Sequence, residues 1–259
     1  MTGLFSSKFN AALTVSRKTR VTAITLLFCG AAGIATLQAE PPLRPGLGSH
    51  DPRRVMEPGM APWRALGRVQ TELGARCTGA LIGPRTVLTA AHCLVAPNSG
   101  RLVQPGSVHM LLGYERGRWR AAARAVRLQV APGFDPARRG PATADWALLH
   151  LAVPLATAPG EWLEVMRALP ARGTRLMLGG YQQDRAEVLL ADPDCALAGV
   201  VRGAGGVALL RHDCAGTRGA SGAPLLAERA PGQWAILGIN VAAFAGESAG
   251  LAVPGALLP

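Results

Sequence analysis

The sequence predicts an all-β protein built as two successive halves, and three observations carry that expectation. Gly (32) and Pro (20) make up about a fifth of the 259 residues, which demands many turns and excludes a long helical bundle. Strand-sized apolar or alternating segments recur between those turn signals. A Pro-bounded stretch, Pro154 to Gly160, then divides the segments into two series of similar size. With 49% hydrophobic and 17% charged residues, the chain has enough apolar surface to bury one or two cores, and intrinsic disorder is excluded.

Residues 1–39 read as an export signal. The basic run Arg17-Lys18-Thr19-Arg20 precedes an uncharged, largely apolar stretch from Val21 to Ala39, and Leu37-Gln38-Ala39 forms an acceptable cleavage site. An uncleaved anchor is the competing reading, because 19 residues can just span a bilayer. Residues 40–54 are polar, contain Pro and Gly, and end at Arg53-Arg54; they read as a leader or pro-segment with no packed element.

A first β series is expected over 55–152, with strands at Arg64–Gln70, Cys77–Ile82, Thr86–Ala90, Ser107–Gly113, Arg120–Val130 and Trp146–Leu151. A linker follows over 153–161. The second series occupies 162–259, with strands at Arg175–Tyr181, Glu187–Leu190, Cys195–Val201, Val207–His212, Ala223–Ala227, Trp234–Val241 and Gly250–Val253.

The formal charge of +11 raises the question of a nucleic-acid or membrane partner. Beyond residue 39 there are 23 arginines, no lysine and 16 acids, interspersed along the chain. Only Arg116, Arg118, Arg120, Arg124 and Arg127, and the pair Arg138-Arg139, look local. Neither group shows the Cys/His pairs or aromatic interleaving of a nucleic-acid module, so a solvated basic face is expected and no nucleic-acid partner.

Of five cysteines, Cys29 falls in the apolar signal region, leaving Cys77, Cys93, Cys195 and Cys214. An even set in an oxidising compartment favours two disulfides. Pairing by proximity joins Cys77 to Cys93 and Cys195 to Cys214, one of three connectivities. A metal site at His212-Asp213-Cys214 with Cys195 lacks a tight Cys-x-x-Cys pair; no metal or cofactor is expected.

Three motifs carry chemistry. Thr89-Ala90-Ala91-His92-Cys93 closes a strand-like run, Asp145-Trp146-Ala147-Leu148-Leu149 follows, and Gly219-Ala220-Ser221-Gly222-Ala223-Pro224 stands far downstream. In this order they resemble the chymotrypsin-like serine proteases, and among them the bacterial V8-like glutamyl endopeptidases. The resemblance extends from about Asp51 to Pro254, through Pro62-Trp63-Arg64-Ala65-Leu66-Gly67, Cys77-Thr78-Gly79-Ala80-Leu81-Ile82-Gly83 and Gly133-Phe134-Asp135-Pro136. It implies two six-stranded antiparallel β-barrels with the active site in the cleft between them, and polypeptide substrates.

The chemistry independently asks for these residue types. A serine hydroxyl is a weak nucleophile at neutral pH and needs an imidazole to take its proton; the candidates are Ser221 and His92. A buried carboxylate, Asp145, would fix the ring tautomer and stabilise the imidazolium without taking the proton itself. The backbone N–H groups of Gly219 and Ser221 are the candidate oxyanion hole, on the order of 3 kcal/mol per donor.

Departures from the family pattern narrow the expectations. Ala220 replaces the Asp that trypsin-type members place before the nucleophile, and no Ile-Val-Gly-Gly start is present, so activation by that salt bridge is excluded. Cleavage after Arg54 to expose Val55 stands as an alternative activation. For substrate binding, Thr217 occupies the place of a threonine that V8-like enzymes use for an acidic side chain. Asn240, in Gly238-Ile239-Asn240, replaces the histidine expected there and brings no charge; Arg218 could supply one. Ala215, six before Ser221, argues against cleavage after Lys or Arg. The carboxyl end leaves little room for the terminal helix many relatives carry. A secreted or periplasmic monomer is expected, without a stable membrane partner if the signal is removed; a non-catalytic binding protein on the same scaffold is the alternative.

Overall fold

The computed structural model describes residues 44–202 and 206–259. The signal or anchor assigned to 1–39 lies outside them. Among the described residues no helix is long and apolar enough to cross a membrane.

Among the described residues there are thirteen strands and a few short 3-10 turns. The first barrel is a closed ring of β2 (Leu66–Thr71), β3 (Arg76–Gly83), β4 (Thr86–Thr89), β7 (Ala147–Leu151), β6 (Ala121–Val130) and β5 (Val108–Leu112), which pairs back with β2. The second closes in the same sense through β8 (Arg175–Gly180), β9 (Leu190–Arg202), β10 (Ala208–His212), β13 (Gly250–Pro254), β12 (Gln233–Ala243) and β11 (Pro224–Ala230). All pairings between these strands are antiparallel. The all-β, two-barrel architecture expected from the sequence is therefore the observed one.

The period-2 pattern explains the strands. Along β6, Ala123 and Ala125 are buried while Arg124, Val126 and Arg127 are exposed, one face to the core and one to water. Small alanines suit the crowded barrel interior. The local arginines are outward too: Arg116, Arg118, Arg120, Arg138 and Arg139 are all exposed, the solvated basic face expected.

Two expectations need correction. Glu187–Leu190 and Cys195–Val201 are expected as separate strands. Leu190 and Cys195–Val201 belong to one strand, β9, while residues 187–189 lie outside it in a turn; the register slips where Leu176 and Leu178 of β8 face Cys195 and Asp192. Pro193 sits in that bulge, a place where a missing N–H costs no ladder bond. The second correction concerns the leader, which was expected to be unpacked. From residue 44 onward it lies on the second barrel: β1 (Arg54–Val55) pairs with Ala191 and Leu190 of β9, and Leu47 and Arg53 are buried.

The barrels share one hydrophobic cluster, which includes Leu66 and Leu81 of the first and Leu189, Leu226, Ile236 and Val253 of the second. Each fully buried leucine in it contributes about 2 kcal/mol. Polar contacts add direction to this non-directional packing. Arg68 of the first barrel stacks 3.5 Å from the Tyr114 ring centroid. Tyr114 in turn meets Tyr181 of the second barrel edge-on and donates its hydroxyl to Glu187 at 2.5 Å.

Candidate active site

His92 and Asp145 project from the same end of one strand pair. Thr89, the last residue of β4, faces Ala147, the first of β7. The chain leaves β4 into the 3-10 turn Ala91–Leu94, and enters β7 from the 3-10 turn Ala142–Ala144. His92 and Asp145 thus meet just beyond the paired strands. Asp145 accepts from the His92 backbone N–H through Oδ1 at 2.8 Å and faces His92 Nδ1 through Oδ2 at 2.6 Å. The carboxylate is 5% exposed and the imidazole 23%. Such a two-point grip fixes ring position and tautomer together: Nδ1 carries the proton and Nε2 is left as acceptor.

The Cys77–Cys93 disulfide ties the turn bearing His92 to β3. The second bond joins Cys195 to Cys214. Both nearest-neighbour pairings hold, and the metal alternative loses its thiolates.

Ser221 comes from the other barrel, in the turn between β10 and β11. Thr78 of β3 reaches across to hold that turn. Its N–H donates to the Ser221 C=O at 3.0 Å, and its hydroxyl donates to the Gly219 C=O at 2.8 Å while accepting from the Tyr181 N–H at 2.8 Å. Gly219 and Gly222 have φ of +94° and +77°, the left-handed region that glycine alone enters freely. A Cβ on Gly219 would strike the Tyr181 carbonyl. Among the described residues the Ser221 hydroxyl makes no hydrogen bond, to His92 or any other group; catalytic hydrogen bonds are often long in free enzymes.

The two candidate oxyanion donors are aimed by their neighbours. In a trans peptide the C=O and the following N–H point in opposite directions. The Arg218 C=O is held by the Gln183 N–H at 2.7 Å, which turns the Gly219 N–H the other way. The Ala220 C=O accepts from Asn240 Nδ2 at 3.1 Å, which does the same for the Ser221 N–H. Among the described residues neither of these N–H groups has a protein acceptor, which leaves both available to a ligand oxygen.

The candidate specificity residues separate. Arg218 is exposed. Thr217 is buried, and its N–H donates to Gln182 Oε1 at 2.8 Å. Asn240 is 3% exposed, and its Oδ1 accepts from His212 Nε2 at 3.1 Å. His212 is buried behind it, with Nδ1 accepting from the Cys214 N–H at 3.2 Å. Burial pushes this imidazole down to about 4, against weaker upward pulls from Asn240 and Asp213, so it is neutral at neutral pH. The sequence reading gives Thr78 and Gln182 no role at the site, and weighs His212 only as a metal ligand. Only His212 has a local signal, its place next to Asp213-Cys214; Thr78 acts through contacts 141 and 103 residues away and Gln182 through one 35 residues away, which no local pattern encodes.

Two antiparallel barrels that bring a His–Asp pair from one half against a serine turn from the other define the chymotrypsin-like class of protein. The match to known proteins agrees. The family model described as Trypsin covers residues 53–256, and the chain belongs to the trypsin family. It is 28% identical over 144 residues to a glutamyl endopeptidase of Bacillus licheniformis, a stretch that is 54% of this chain and 42% of that protein. The match thus spans less than half of that relative's length. Among solved structures, a Glu endopeptidase superposes with a TM-score of 0.67 at 19% identity, covering 82% of this chain and 95% of the other. Human heparin binding protein gives 0.60 at 19% over 79% and 91%. The thermostable serine protease AL20 from an extremophilic microorganism gives 0.56 at 20% over 74% and 91%. At such identities these superpositions establish the shared fold.

Proposed function

We propose that this protein is an exported serine endopeptidase that works through an acyl-enzyme on Ser221. The observation that carries the reading is the buried Asp145 carboxylate clamping His92 at both its N–H and Nδ1, with the serine turn of the other barrel tied to Thr78 beside it. His92 Nε2 takes the Ser221 hydroxyl proton as Oγ attacks the scissile carbonyl carbon. The oxyanion that forms is met by the Gly219 and Ser221 N–H groups. As the tetrahedral species collapses, the C–N bond breaks and His92 returns its proton to the leaving amine. Water then attacks the ester, gives its proton to His92, and releases the acid with Ser221 restored.

Export is supported by the signal-like order of residues 1–39 and by two disulfides, which persist in oxidising compartments. The substrate preference is for an acidic residue on the acyl side. The name of the Bacillus licheniformis relative supports it, as does exposed Arg218 next to the oxyanion turn. Asn240 supports that turn from beneath, with both ends of its amide already engaged.

The test is stoichiometric labelling by an organophosphorus fluoridate, abolished in Ser221→Ala, followed by cleavage of a peptide library. Folded, fully processed protein that does not label would favour the binding-protein alternative. Cleavage indifferent to acidic residues would remove the substrate assignment while leaving the peptidase.

A further inference from the structure

We propose that residues 44–53 form a clasp that stays on the working molecule, and that Arg53 is a positioning residue for the turn carrying Gly219 and Ser221. This rests on the peptidase reading and extends it to how the site is ordered.

The Arg53 side chain is 1% exposed, and a cation removed from water persists only when its charge and N–H groups are met. Its Nε and Nη2 reach both oxygens of Asp51 at 2.8 Å. Its Nη1 and Nη2 reach both oxygens of Asp184 at 3.2 and 2.7 Å, and Nη1 donates to Gln182 Oε1 at 2.6 Å. Arg44 adds a second cation on Asp184 at 3.0 Å, and Arg185 a third on Asp51 at 3.9 Å. Paired forks of this kind fix angle as well as distance.

The cluster leads directly to the site. Gln182 is fully buried, and the oxygen that meets Arg53 also accepts the Thr217 N–H. The next residue, Gln183, donates to the Arg218 C=O and so aims the Gly219 N–H. The leader grips the same loop a second time: the Gly216 N–H donates to the Gly46 C=O at 3.0 Å, and the Gly46 N–H to the Phe244 C=O at 2.6 Å. Ala220, where trypsin-type members carry the ordering carboxylate, is wholly buried and cannot bind a terminal amine. An internal guanidinium, present without proteolysis, fills that ordering role from outside the loop. Cleavage after Arg54 would sever both grips from the body of the protein. It would also require opening β1, because Arg54 and Val55 are paired with β9 and the Met56 N–H is bonded to the Leu189 C=O.

Amino-terminal sequencing of secreted, fluoridate-labelled full-length product should give chains beginning at or before Arg44; a labelled population beginning after Arg53 would overturn the proposal. In the full chain, Arg53→Ala should lower kcat by about a hundredfold with KM little changed, as loss of a transition-state donor predicts. Added guanidinium should restore part of it. Amide exchange at Gly216 and Thr217 should quicken. Folded Arg53→Ala protein with unaltered kcat and exchange sinks the idea. Should that variant not fold, Arg53→Lys, which keeps the charge but cannot span both carboxylates and Gln182, is read by the same criteria. A parent protein without turnover or labelling would defeat the peptidase reading, while exchange in the variants would still decide the clasp.

Discussion

Asp145 does two jobs through two oxygens, and they can be separated. Asp145→Asn can still accept the His92 backbone N–H through its oxygen, but an amide N–H facing Nδ1 forces the wrong tautomer. We expect kcat to fall by about four orders of magnitude, with the circular dichroism spectrum and melting temperature close to those of the parent. His212 gives a second prediction. Its folded-state value, about 4, lies below the ordinary 6.5, so between these values the unfolded chain takes up a proton that the folded one refuses. The neutral ring's contribution is complete above 6.5 and is lost as pH falls toward 4, a change of about 3 kcal/mol. Urea midpoints measured from about pH 7.5 to about pH 4.5 should therefore fall less steeply in His212→Gln than in the parent; equal slopes would refute this. The His92–Asp145 pair was legible because each residue sits in a short motif, Thr89-Ala90-Ala91-His92-Cys93 and Asp145-Trp146-Ala147-Leu148-Leu149. Asn240 shows the limit: its residue type suggests a ligand-binding amide, and only the fold reveals that His212 and Ala220 already occupy it.

At the scale of elements, strand positions were legible from alternation and turn residues, while strand continuity was not. The Asp192-Pro193-Asp194 stretch carries every local sign of a turn, yet the Asp192 carboxylate accepts from the N–H groups of Asp194 and Ala215 and holds the bulge inside β9. The leader was misread for a related reason. Pro and Gly content predicts loose chain, but Arg53 finds its partners 129 and 131 residues away. The Cys77–Cys93 link closes a short loop, with a sequence separation of 16, and should stabilise the fold by about 3 kcal/mol. The double variant Cys77→Ser with Cys93→Ser should lower the urea-derived stability by that amount. Because Cys93 adjoins His92, its turnover should also become more sensitive to temperature; an unchanged unfolding midpoint would show that the strands alone fix the turn.

The whole molecule depends on two barrels staying in register across a cleft, since the His–Asp pair belongs to one and the serine turn to the other. The expectation of two β halves anticipated this. What the sequence could not display was the extent of the union, a single cluster that takes in Leu66 and Leu81 from one barrel and Leu226, Ile236 and Val253 from the other. Thr78 and the Leu163 N–H to Leu81 C=O bond add polar ties across the seam. Each disulfide, by contrast, lies within one half, and the connection at Pro159-Gly160 is exposed. A single cut at Gly160 would therefore yield a two-chain protein with no covalent link between its parts. It should still elute as one species on gel filtration and keep its turnover, coming apart only when denaturant dissolves the common interior. Unity of this molecule is a property of its oil-like seam, and the backbone between the halves is merely a leash.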